Sequence, residues 1–188
     1  MRTVEEKQLT NKQSVWWNAP NAVSLTRIFL APFVAYAIWT NHEYIALALV
    51  ALAAVTDFLD GFLARTRKDT TPLGVYLDPI ADKILLTVIF IALGFTGHVP
   101  IWYVAIVFGR DLALIVASAI AMKVSSYNNY RPTIWGKIST FWQIAAAVAA
   151  IAAPAAEFTH TVVYISGAAT VWSAIHYTWR GVSFFVRR

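Results

Sequence analysis

Six apolar stretches, each close to the length of one bilayer crossing, constrain this chain more than any other feature. A membrane-spanning helix needs roughly 20 mostly apolar residues. The stretches run from about Val23 to Thr40, Tyr44 to Ala64, Leu73 to Phe95, Ile101 to Met122, Thr133 to Ala153 and Phe158 to Trp179. Pro20, Pro72, Pro100 and Pro132 stand at or just before the start of a stretch, where a missing N–H costs little. Pro154 stands where the fifth should stop. Of the 188 residues, 59% are hydrophobic and 13% charged, against about 25% charged in a soluble domain. The expected fold is an all-α integral membrane protein with six transmembrane helices, forming a single domain over 1–188.

The basic residues give these spans a direction. Arg2, Lys7 and Lys12 precede the first span. Arg65, Arg67 and Lys68 lie between the second and third, Lys123 and Arg131 between the fourth and fifth, and Arg180, Arg187 and Arg188 after the sixth. The alternate connections, near Asn41–Glu43, Gly97–Pro100 and Pro154–His160, carry no Lys or Arg. By the positive-inside rule both termini and both basic loops are cytoplasmic. The net charge of +5 is therefore read as topology, with attraction to anionic membrane lipids, and not as a nucleic-acid surface. Residues 1–19 are expected to form an interfacial segment carrying the pair Trp16–Trp17, which suits a headgroup layer. The segment lacks the apolar core of a signal peptide, and Glu5 and Glu6 are out of place in a transit peptide. Cysteine is absent, which excludes disulfides and thiolate metal sites. The expected location is a bacterial-type inner membrane.

Against this apolar background one acidic segment stands out, DFLDGFLARTRKDTTPLGVYLDPIADK. Asp57 and Asp60 are spaced i, i+3, and Asp78 and Asp82 i, i+4, so each pair shares a helix face. The two helices, joined by a short loop, are antiparallel neighbours. Turning the faces together gathers four carboxylates, which remain ionised side by side only with a compensating cation. Ionisable groups at membrane depth are costly and mark function by default. An all-oxygen donor set favours Mg²⁺ or Mn²⁺, with coordination positions left for phosphate oxygens. Gly61, Ala64 and Gly74 keep side chains small where a bulky ligand approaches the backbone. Arg65 has the fork to grip a phosphate, and Thr70 and Thr71 offer hydroxyls. The structural alternative is that the aspartates cap helices or pair with Arg65, Lys83 and Arg110.

These residues resemble the signature of the CDP-alcohol phosphatidyltransferases, D-x2-D-G-x2-A-R-x8-G-x3-D-x3-D. It reads here as Asp57, Asp60, Gly61, Ala64, Arg65, Gly74, Asp78 and Asp82 without departure, and six spans also fit the family. The resemblance implies that Asp57, Asp60 and Asp78 ligate a pair of divalent metals. By the same resemblance Asp82 would lie near them and act as general base on the acceptor hydroxyl. It further implies that Gly61, Arg65 and Thr71 contact the CDP-lipid beside Ala64 and Gly74. The run from Pro20 to Ser24, with Asn21 and Ser24, resembles the family's stretch before the first span that closes over the cytidine side. A homodimer is also implied.

The acceptor is less sharply written. Arg27, Arg110, Lys137 and His176 are candidates for binding an anionic, glycerol-based alcohol. For the basic three, the alternatives are snorkelling and pairing with Asp111 or the acidic cluster; for His176, a satisfied intramembrane histidine. The segments Gly109–Asp111, RPTIWGKISTFWQ and His176–Tyr177 resemble cardiolipin synthases of this fold, which join CDP-diacylglycerol to phosphatidylglycerol. PNAVSLTRIFLAP and LDPIADKIL resemble equally the phosphatidylglycerophosphate synthases, which use glycerol-3-phosphate. A rival reading from another class is a small cation transporter. Against it, the acids cluster on one membrane side, and no inverted repeat is visible.

Overall fold

The apolar stretches are helices. The computed structural model describes residues 19–67, 74–124 and 133–186, with side chains described over 25–58, 80–116 and 133–179. The described residues form six α-helices and no strand: α1 (Ala19–Trp39), α2 (Glu43–Arg67), α3 (Gly74–Phe95), α4 (Ile101–Val124), α5 (Ile134–Ala152) and α6 (Glu157–Val186). The interfacial segment expected over 1–19 lies outside the described residues except for Ala19. So do Arg2, Lys7, Lys12, Lys68, Arg131, Arg187 and Arg188 from the orientation argument.

Helix ends depart from the apolar ends by a few residues. α2 continues to Arg67 and α6 to Val186, beyond the predicted Ala64 and Trp179, because charged and polar residues also sustain a helical ladder. Pro32 lies inside α1, where it removes one ladder donor. Where α1 ends, the amide of His42 donates to the Ala37 carbonyl at 2.9 Å and Asn41 takes φ 55°. Asn is among the few residues that enter this left-handed region at low cost. Gly97, between α3 and α4, takes φ 75°.

The helices run from 19 to 30 residues, enough to match a bilayer core. Among the described residues one, Ile134–Ala152, is both long and apolar enough to cross a membrane by length and composition; Leu25–Trp39 is apolar but shorter. Large apolar side chains, among them Phe29, Tyr36, Phe58, Leu112, Ile115 and Phe141, are exposed. Apolar surface on this scale calls for a covering other than water.

The chain divides into two compact units, Met1–Ala92 and Leu93–Arg188. In the first, α1 packs on α2, with Ala31, Ala37, Ala46 and Ala53 buried. Small side chains let helix backbones approach closely where hydrophobicity alone does not drive association. In the second, α6 packs on both α4 and α5. The Ala-rich stretch of α5 serves the same purpose, with Ala146, Ala147, Ala149 and Ala150 buried.

One face of α6 carries a buried polar series, Thr159, Ser166, Thr170 and Ser173. Thr159 Oγ1 donates to the Ala153 carbonyl at 2.7 Å. The hydroxyls of Ser166 and Tyr103 hydrogen-bond at 2.7 Å. Thr170 Oγ1 lies 3.2 Å from Ser139 Oγ and accepts from Gln143 Nε2 at 3.1 Å. Each bond satisfies a group that is otherwise stranded away from water, and together they pin α6 to its two neighbours in one register.

Candidate active site

Within the first unit, Arg27 of α1 joins two of the four signature aspartates. Its Nη2 lies 2.8 Å from Asp57 Oδ1 on α2, and its Nη1 pairs with Asp82 Oδ1 on α3. The Arg27 side chain is 3% exposed, whereas those of Asp57 and Asp82 are 51% and 53% exposed. The guanidinium therefore lies beneath two carboxylates that remain open on their outer side. Two ends of the signature, distant in sequence, meet at one point because three helices converge there.

α2 is helical through Asp57 and Asp60, and α3 through Asp78 and Asp82. The i, i+3 and i, i+4 spacings thus act on real helices, so the positions within each pair share a face. The side chains of Asp60, Gly61, Ala64, Arg65, Gly74 and Asp78 lie outside the described ones, as do those of Asn21 and Ser24 on α1; Thr71 lies outside the described residues altogether. Among the described residues no three carboxylate or imidazole groups converge as a metal set. Among the described residues, Asp57 and Asp82 set carboxylate oxygens on either side of the Arg27 guanidinium. That donor chemistry fits a hard divalent ion.

By sequence Arg27 is a candidate both for acceptor binding and for pairing with the acidic cluster. The structure places it in the cluster. Among the described side chains Arg27 pairs with Asp57 and Asp82; the side chain of Arg65, a sequence-expected partner of the aspartates, lies outside the described ones. No spacing rule links an α1 residue to α2 and α3, so the signal for this pair is absent from sequence periodicity.

A second polar centre lies within the second unit. Arg110 of α4 is 7% exposed. Its Nη1 pairs with Asp111 Oδ1 at 2.7 Å, and its Nη2 donates to Ser173 Oγ at 3.2 Å. The guanidinium carbon lies 6.0 Å from the centroid of the Tyr177 ring, within reach of a cation–π contact. Arg110 Nε is buried without a hydrogen-bond partner. The alternative of pairing with Asp111 is thus realised, yet one buried donor is left over.

Tyr177 ties this arginine to the start of α5. Its hydroxyl accepts from the Thr133 amide at 3.1 Å. Thr133 is the N-cap, its Oγ1 accepting from the Gly136 amide at 3.3 Å. Gly136 lacks a side chain where one does not fit: a Cβ there would lie 2.8 Å from the Tyr177 hydroxyl oxygen and 3.4 Å from Arg110 Nη2. The N-terminal end of a helix carries partial positive charge, so the first turn of α5 and Arg110 together favour an anion.

Of the other acceptor candidates, Lys137 is exposed on that same first turn. His176 is half-buried, with Nδ1 buried and unpartnered and its ring edge-on to Tyr177. Thr133, Gly136 and Ser173 were not among the sequence-predicted site residues. The i, i+4 spacing of Ser173 and Tyr177 was the available signal, but small polar residues in a span are too common to single out.

Residues 17–175 match the family model described as CDP-alcohol phosphatidyltransferase. The chain is 32% identical to human cardiolipin synthase (CMP-forming) over 185 residues, covering 86% of this chain and 62% of the relative. It is 34% identical to the CDP-diacylglycerol–glycerol-3-phosphate 3-phosphatidyltransferase of Pseudomonas fluorescens over 176 residues, covering 85% and 88%. A probable cardiolipin synthase (CMP-forming) of Drosophila melanogaster is 30% identical over 179 residues, covering 84% and 56%. The chain thus spans a little under two thirds of the human relative's length.

Proposed function

The chain belongs to the CDP-alcohol phosphatidyltransferase family, and from that premise we propose that it transfers the phosphatidyl group of CDP-diacylglycerol to phosphatidylglycerol, giving cardiolipin and CMP. The observation that carries the reading is the convergence of Asp57 and Asp82 on Arg27. It brings the two outer signature positions into one site, with their outer sides open to a substrate.

In this reading Asp57, Asp60, Asp78 and Asp82 hold Mg²⁺ or Mn²⁺, as two ions. Held there, such ions would supply charge neutralisation at the pyrophosphate and at the departing CMP. Asp82 takes the proton of the acceptor hydroxyl, whose oxygen forms the new bond to the phosphatidyl phosphorus while the bond to CMP breaks. A base of this kind works from about 2.6–3.2 Å, and the half-open Asp82 side chain gives a hydroxyl that access. Arg65 grips the donor phosphates. Gly61, Ala64 and Gly74 leave room for the donor, and Asn21, Ser24 and Thr71 complete its contacts. Arg110, the first turn of α5 with Lys137, and His176 bind the anionic acceptor. The unpartnered Arg110 Nε and His176 Nδ1 support that assignment.

The surrounding reading is an integral membrane protein of six spans, with both termini and the active site on the cytoplasmic side of a bacterial-type cell membrane, working as a homodimer. The exposed apolar helix surfaces and the alternation of basic connections support it.

Glycerol-3-phosphate is the second acceptor to consider, because the Pseudomonas fluorescens relative is matched over most of its length. The deciding experiment offers purified protein CDP-diacylglycerol with phosphatidylglycerol and glycerol-3-phosphate side by side, with Mg²⁺ or Mn²⁺. Cardiolipin is the expected product. Phosphatidylglycerophosphate alone transfers the reading to the second acceptor; no CMP with either removes both acceptors, and no CMP with any common alcohol acceptor refutes phosphatidyl transfer.

A further inference from the structure

Arg27 lies outside the signature, and its ion pairs turn it from an acceptor candidate into a partner of the aspartates. It reaches the aspartates from α1, outside the signature segment, and is far more buried than either carboxylate it binds. A guanidinium stays charged under all ordinary conditions. Buried at this depth, it needs the carboxylates as much as they need a cation. Each ion pair runs through an Oδ1 atom, and a carboxylate has a second oxygen with its own lone pairs. Asp57 and Asp82 can therefore keep Arg27 on their inner side while presenting oxygen to a cation on the outer, half-exposed side. The inner charge has two effects. Its planar fork holds two carboxylates from different helices at a set separation, and it offsets part of the negative charge that an incoming divalent cation meets.

We propose that Arg27 is a positioning residue of the aspartate cluster: a built-in counter-charge that spaces Asp57 and Asp82 and limits how tightly the cluster holds its divalent metal. The proposal rests on the metal-dependent reading above. The offset matters for turnover, since a site that must release CMP gains nothing from metal and product held too firmly. Loss of the inner positive charge raises the field felt by a divalent ion at the outer oxygens. An arginine that served packing alone would have no means of tightening metal binding on removal.

The test is a Mn²⁺ titration of the purified full chain in detergent, without lipid substrate, reading free Mn²⁺ by electron paramagnetic resonance. Arg27→Met is expected to bind Mn²⁺ more tightly than the wild type, on the order of tenfold. Arg27→Lys keeps the charge while losing the fork, and is expected within about threefold of wild type. A wild type that binds no Mn²⁺ removes the metal reading itself. A wild type that binds, beside a folded Arg27→Met with unchanged or weaker affinity, overturns the role of Arg27 alone. If Arg27→Met loses its helical circular dichroism, Arg27→Lys decides: a change of tenfold or more in either direction overturns the proposal.

Discussion

The Arg110 guanidinium lies over the Tyr177 ring, and the Tyr177 hydroxyl in turn accepts the Thr133 amide at the start of α5. One tyrosine therefore holds an arginine with its face and a helix N-terminus with its oxygen. Arg110 is further anchored by Asp111 and Ser173, which sets the direction of its unpartnered Nε.

Arg110→Lys tests whether this arrangement serves the acceptor. Lysine keeps the charge but cannot reproduce a planar fork shared between Asp111 and Ser173. The acceptor KM is expected to rise about tenfold, the cost of about one charge-assisted hydrogen bond, while the CDP-diacylglycerol KM stays within twofold. Initial rates of CMP release, with each substrate varied in turn, check this. Equal increases in both KM values would remove Arg110 from the acceptor side.

Gly136→Ala places a Cβ against the Tyr177 hydroxyl and Arg110 Nη2. Both neighbours are hydrogen-bonded and have little freedom to retreat. Overpacking of this kind costs about 1–3 kcal/mol. A lowered thermal midpoint in detergent, accompanied by a raised acceptor KM, is the expected pair of results. An alanine variant with wild-type stability would mean that Tyr177 yields more freely than its bond to Thr133 implies.

Asp82→Asn keeps the shape of the side chain and removes its basicity. If Asp82 is the general base, kcat falls by about 10²–10⁴-fold. Mn²⁺ binding is expected to survive in large part, since Asp57, Asp60 and Asp78 remain. Single-turnover CMP release, alongside a Mn²⁺ titration, separates the two roles. A near-normal rate would reassign the base.

Thr170→Val probes the polar series of α6. Thr170 accepts from Gln143, lies against Ser139 and donates to the Ser166 carbonyl. Valine fills the same space but leaves Gln143 without that partner. Polar contacts between membrane helices average about 0.6 kcal/mol, and stranding a buried group costs about 1–3 kcal/mol. A loss between those bounds in detergent unfolding is expected, with KM values unchanged.

Much of the fold was legible in advance because its determinants are local. Apolar runs of bilayer length, most of them preceded by a proline, marked the helices, and α3, α4 and α5 begin and end within two residues of the predicted limits. The ends of α2 and α6 were less legible, since polar residues extend a helix without extending its apolar stretch. The candidate site divides in the same way. The signature aspartates and glycines follow a fixed spacing on two consecutive helices, and such spacing is read directly from the chain. The small residues around Arg110 carry no such pattern.

The amino-acid sequence by itself determined the helices, their alternating basic connections, and the eight signature positions that identify the family chemistry. Tertiary structure alone decided that Arg27 belongs with Asp57 and Asp82, and that Arg110 belongs with Ser173, Tyr177 and the first turn of α5. The physical reason is that spacing along one helix fixes which residues share a face, whereas the partner of that face depends on how separate helices pack and turn against one another. Arg27 and Asp82 stand 55 residues apart, and only that packing brings them together.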